Sequence, residues 1–63
     1  MKNRIKECRE KLKMSQEELA EKSGVSRTTI ANFEAEQIKR TTNTTMEKIS
    51  KALGKSIKYV FYL

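Results

Sequence analysis

The sequence has no histidine, no proline and no tryptophan, a single cysteine, and two glycines among 63 residues. Without histidine there is neither a His-based catalytic triad nor a Cys/His zinc site. The lone Cys8 excludes an internal disulfide and fits a reducing compartment, so a cytoplasmic location is expected. No segment approaches the ~18 apolar residues that cross a bilayer. The basic N-terminus is not followed by the apolar core of a signal peptide. No nucleophile–base pair, metal cluster or phosphate loop is visible, so the expectation is a protein that is not an enzyme and carries no cofactor.

What is present is charge. Fourteen Lys and Arg face eight acids, a formal net charge of +6. Residues 1–38 are nearly balanced at +1, whereas residues 39–63 carry +5, from Lys39, Arg40, Lys48, Lys51, Lys55 and Lys58 against Glu47. A small basic domain favours polyanions, either nucleic acid or an anionic membrane surface. The bland alternative for the C-terminal lysines is ordinary solvated surface. The length allows one domain, residues 1–63, with a small core of the kind often stabilised by oligomerisation.

The most ordered pattern runs from Met14 to Phe33. Ser15 with Glu18 three residues on forms a capping box. Leu19 and Ala20 supply an inward face, and Gly24 ends the helix, because glycine takes a left-handed backbone without a Cβ clash. Val25 fills the corner, and Ser26 caps a second helix that starts at Arg27. There Ile30 and Phe33 share one face. At ~100° per residue, Thr28 and Asn32 point away from it, flanked by Arg27, Ala31 and Thr29. Such a helix buries one stripe and offers Arg, Thr and Asn to a major groove.

This stretch resembles the helix-turn-helix (about residues 15–34) of the Cro/C1-type, or XRE, family of phage and bacterial regulators. The matching residues are Gln16, Leu19, Ala20, Gly24, Val25, Ser26 and Ile30, and Lys51–Phe61 is similar to the family's last two helices. The resemblance implies an all-α, five-helix, lambda-repressor-like domain that binds double-stranded DNA and regulates transcription, as a repressor dimer on an inverted repeat. It implies that Gln16 contacts phosphate. It implies that Ser26, Arg27, Thr28 and Asn32 belong to the DNA-facing surface, and that Lys39, Arg40 and Thr41 form the loop that grips the backbone. Arg27 suits guanine O6 and N7 or a phosphate, Thr28 a hydrogen bond or a thymine methyl, and Asn32 adenine or phosphate. The alternative for each is a solvated polar face. The resemblance also implies an ion pair between Arg9 and Glu34, tying the first helix to the third, and a contact of the second helix (Glu17, Glu18, Glu21) with RNA polymerase. The bland alternative for those acids is complementing the helix dipole and, for Glu18, capping. The chain is similar to small stand-alone regulators and is expected to lack the ligand-sensing or autocleavage module of longer relatives.

Other expectations come from the residues, two of them from where the chain departs from the family pattern. Residues 2–13 read as a first helix with Ile5, Cys8 and Leu12 inward. Cys8 reads as a small buried hydrophobe. The recognition helix spans residues 27–36, because Ala35-Glu36 stands where the family often has Asn-Gly and the helix is expected to run on. The following loop has no proline, where the family often has one. Thr42 is the expected cap of a fourth helix, residues 43–53, with Met46, Ile49, Ala52 and Leu53 inward. Gly54 ends that helix, and Ser56 caps a fifth, with Ile57, Val60 and Phe61 inward. Tyr59, Tyr62 and Leu63 face the other way, and such apolar surface tends to be an interface, here that of a homodimer. A frayed tail is the alternative. The rival functional reading is a protein–protein module on the same fold, an antitoxin or an adaptor.

Overall fold

Four of the five helices begin at a hydroxyl. In the computed structural model, which describes residues 1–62, the Ser15, Ser26, Thr42 and Ser56 side chains each accept a hydrogen bond from the backbone N–H three residues on. The helices are α1 (Ile5–Lys11), α2 (Gln16–Ser23), α3 (Arg27–Glu34), α4 (Asn43–Leu53) and α5 (Ile57–Phe61). Each cap satisfies a donor that the first helical turn cannot pair internally, so these four starts are decided locally. At Ser15 the box is complete: Glu18 Oε1 also accepts the Ser15 N–H, at 3.2 Å.

The first helix is shorter than the periodicity of residues 2–13 suggests. Asn3 turns the chain instead of joining the helix. Its Oδ1 accepts the Ile5 N–H at 3.1 Å, and its Nδ2 donates to the Phe33 carbonyl at 2.8 Å. The helix stops at Lys11. Lys13 then takes φ +55°, and the Lys13 and Met14 N–H groups close back onto the Glu10 and Arg9 carbonyls. That exit turns Leu12 outward, 51% exposed, and turns Met14 inward. The expected Ile5–Cys8–Leu12 stripe is therefore corrected to Ile5, Cys8 and Met14.

The core is one cluster drawn from every helix: Ile5 and Cys8, Met14, Leu19, Ile30 and Phe33, Met46, Ile49 and Leu53, Val60 and Phe61. Phe33 and Phe61 meet edge to face, with ring centroids 5.6 Å apart. α2 packs on α3 and α4, α4 on α5, and α1 on α3, α4 and α5. The outcome is an all-α fold, without strands among the described residues. Its centre is the α2–α3 pair, braced behind by α1 and α4. Ala20, Val25, Ala52 and Ile57 pack at the core's edge.

Candidate nucleic-acid interface

Two features hold α3 so that one face stays outside. Ile30 and Phe33 are buried, while Arg27, Thr28 and Asn32 are exposed and Thr29 and Ala31 half-buried. The turn before α3 depends on Gly24, whose φ of +74° is left-handed. Behind α3, Arg9 and Glu34 form the expected ion pair, and it is bidentate. Nε donates to Oε2 at 2.8 Å and Nη2 to Oε1 at 3.1 Å. The third Arg9 nitrogen, Nη1, donates to the Met14 carbonyl at 2.7 Å. The pair therefore ties together α1, the α1–α2 turn and the end of α3. Burial alone would raise the Glu34 pKa. Hydrogen bonds from Arg9 and Gln16, with the Arg9 charge, outweigh that and hold the carboxyl below its usual range. The Arg9 guanidinium is shifted up, chiefly by its hydrogen bond to Glu34.

Gln16 is half-buried at the start of α2, and its Nε2 donates to Glu34 Oε1 at 3.0 Å. That bond fixes the amide on the edge of the α2–α3 surface and leaves its oxygen without a protein donor among the described residues. Ser26 is engaged by the fold: Oγ accepts the Thr29 N–H at 3.1 Å and donates to Thr29 Oγ1 at 2.8 Å. Arg27 reaches across to α2, where Nη1 donates to Glu17 Oε1 at 2.9 Å, with both side chains more than 60% exposed.

The loop after α3 departs from the expected 27–36 helix. α3 stops at Glu34, and Glu36 takes φ +58°, the left-handed position where glycine is usual. The Glu36 N–H closes on the Phe33 carbonyl and the Gln37 N–H on the Asn32 carbonyl, each at 2.9 Å. Two hydrogen bonds thus end the helix where the residue identity argues for continuation. Ile38 then docks against the core. With Ile38 held inward, Lys39 and Arg40 are exposed, Thr41 is half-buried and Thr42 caps α4. None of the ion pairs among the described residues involves Lys39 or Arg40.

A model of the helix-turn-helix family, the Cro/C1-type or XRE group, matches residues 5–60. The chain belongs to that family. Searches of curated proteins and of solved structures returned no match. A helix-turn-helix domain of this kind is a DNA-binding regulatory module. In helix-turn-helix proteins generally, the second helix of the motif enters the major groove, and α3 holds that place here. No helix among the described residues is long and apolar enough to cross a membrane.

Three contacts escaped sequence reasoning, two beside α3 and one on α5. Glu17 pairs with Arg27, a contact that only the α2–α3 angle creates. Ile38, the lone apolar side chain in a polar loop, was a readable sign of an anchor. Arg4 lies over the rings of Tyr59 and Tyr62, 4.5 and 4.1 Å from their centroids, and donates to the Tyr59 carbonyl. The second face of α5 is consequently an aromatic–guanidinium stack rather than bare apolar surface. Tyr59 and Tyr62 are 38% and 53% exposed. Leu63, the third residue expected there, lies outside the described residues. Cys8 is buried, and that burial, with the nearby Glu7 charge, pushes its thiol pKa up. Both effects disfavour the reactive thiolate.

Proposed function

We propose that this protein is a sequence-specific transcriptional repressor that binds an inverted-repeat operator as a dimer in the cytoplasm. The observation that carries the reading is the α3 surface: an exposed row of Arg27, Thr28 and Asn32 on a helix anchored by buried Ile30 and Phe33, with Lys39 and Arg40 on the adjoining loop. In this reading Gln16, Lys39, Arg40 and Thr41 contact phosphates and set the register, while Arg27, Thr28 and Asn32 read base edges. Ser26 supports the contact through the cap that starts α3.

Two copies related by a two-fold axis would place their α3 helices in successive major grooves, about 34 Å apart. Tyr59 and Tyr62, with Leu63, are the proposed dimer contact. Tyrosine and arginine are the residue types that dominate interface energetics, so the Arg4 stack suits that role. Repression would follow from occlusion of a promoter. A contact of α2 with RNA polymerase would fall mainly on Glu21, because Glu17 pairs with Arg27 and Glu18 closes the capping box.

Selection of bound sequences from random duplexes, with the mass of the complex recorded, tests this function. The expected result is an inverted repeat, half-site centres about one helical turn apart, carrying two chains. Salt-sensitive binding of any DNA with no enriched sequence would replace the repressor reading with an adaptor or antitoxin.

A further inference from the structure

The Glu17–Arg27 contact joins an acid to the residue placed first on the recognition helix, and nothing in the packing requires it. Both side chains are largely exposed, and the bond is single, Nη1 to Oε1 at 2.9 Å. A guanidinium has five N–H donors in a rigid plane. The acid takes one of them and leaves Nε and Nη2 without a protein acceptor among the described residues. A guanine presents two acceptors, N7 and O6, and the Nε–Nη2 edge can meet both at once. Arg27 can therefore contact guanine without leaving Glu17.

A backbone phosphate poses a different problem. Where a phosphate lies out of reach of that edge, Arg27 can turn to it only by breaking with Glu17. The carboxylate would then stand without its cation beside a polyanion. Exposed ion pairs are weak, on the order of 0.2–1 kcal/mol, so the pair adds little to the stability of the fold. Its consequence lies in discrimination, where a repulsive element set against wrong partners is as effective as an attraction to the right one.

We propose that Glu17 is a specificity-determining residue. It positions the Arg27 guanidinium for a base edge and penalises the phosphate-only mode of non-specific DNA. The inference rests on the proposed base-reading role of Arg27 and deepens it. It also explains why an acid sits on the N-terminal turn of α2, beside the phosphate contact proposed for Gln16. There a bare carboxylate would oppose binding to every DNA.

The test measures dissociation constants for a selected operator and for a scrambled duplex, using wild type, E17Q, R27A and the E17Q/R27A double variant. E21Q is the control, because Glu21 is an exposed acid on the same helix without an ion pair among the described residues. Removing Glu17 is expected to tighten scrambled-DNA binding about fivefold, the scale of one exposed pair. Operator affinity should move by less than about twofold, so the ratio falls. E21Q should shift both duplexes alike, and E17Q should leave the ratio unchanged in the R27A background. Without DNA, the Arg27 Nε–H resonance should move in E17Q and stay in E21Q, which detects the pair itself. Equal tightening on both duplexes, or a ratio change that persists in R27A, overturns the role of Glu17 and leaves the repressor reading standing. A wild-type protein with no operator preference overturns both.

Discussion

At the scale of single residues, the Glu34 carboxylate has the most to lose. Its side chain is 6% exposed and that of its partner Arg9 12%. Taking one member away strands the other, which costs about 3–5 kcal/mol for a fully buried pair. Domains of this size have only about 3–5 kcal/mol in hand. Glu34→Gln is therefore expected to lose about 3 kcal/mol and to be substantially unfolded, as read by urea denaturation. Replacing both members by Met and Leu should cost less than either single change, because no charge is left unpaired. The pH dependence has a definite sign. The folded Glu34 carboxyl titrates below its unfolded value of about 4.3. Its contribution is then complete above that value and lost as pH falls through the folded one. Wild type should destabilise steeply on acidification, and any folded fraction of Glu34→Gln less so. Ser50 is the opposite case. It is 2% exposed on α4, and its hydroxyl has no hydrogen-bond partner. Burying an unpaired hydroxyl costs about 1–3 kcal/mol, so Ser50→Ala should raise the urea midpoint rather than lower it. Helical spacing does put Ser50 on the inward face, between Met46 and Leu53, and only its polar side chain keeps it off the apolar stripe.

At the scale of elements, starts and exits behave differently. Ser15, Ser26, Thr42 and Ser56 could be read as caps because the bond each makes lies within three residues of sequence. Gly24 and Gly54 could be read as stops for the same reason. The exits at Lys13 and Glu36 could not, since both are non-glycine residues at left-handed φ values of +55° and +58°. Tertiary packing imposes them: Met14 must turn into the core behind Arg9, and Ile38 must dock after α3. That is why the residue pattern alone places Leu12 inward and carries α3 on to residue 36. The same reasoning predicts a gain. A non-glycine residue in this region carries a strain of roughly 1–2 kcal/mol that glycine avoids, partly offset by glycine's freedom in the unfolded chain. Glu36→Gly is expected to stabilise the protein by about 0.5–1 kcal/mol. A lowered melting temperature would mean that the Glu36 side chain contributes more than its backbone costs.

At the scale of the whole molecule, the two halves of the charge distribution have different consequences. The +1 half contains α1, α2 and α3, where eight cations are balanced by seven acids and Arg9, Lys11 and Arg27 are held in ion pairs. The +5 half begins with Lys39 and Arg40, which are exposed on a loop that Ile38 fixes next to α3. Binding energy and discrimination should therefore separate along the chain. Contacts to phosphate release condensed counterions, and each contributes about 0.9 to the slope of log K against log salt on duplex DNA, whatever the sequence. Contacts to base edges contribute about 1–3 kcal/mol of discrimination each. Lys39→Ala should weaken binding to the operator and to scrambled DNA by the same factor. It should also make both salt slopes shallower by about one unit. Arg27→Ala should instead act mainly on the operator, relaxing preference at one base pair per half-site while changing the salt slope little. Titrations across a salt series for the two variants on both duplexes check the separation. If Lys39→Ala leaves the slope unchanged, the loop lies off the DNA. The duplex would then have to meet α3 at an angle that leaves Lys39 and Arg40 in water. In that case the positive charge of the C-terminal half would serve solubility or another partner rather than the operator.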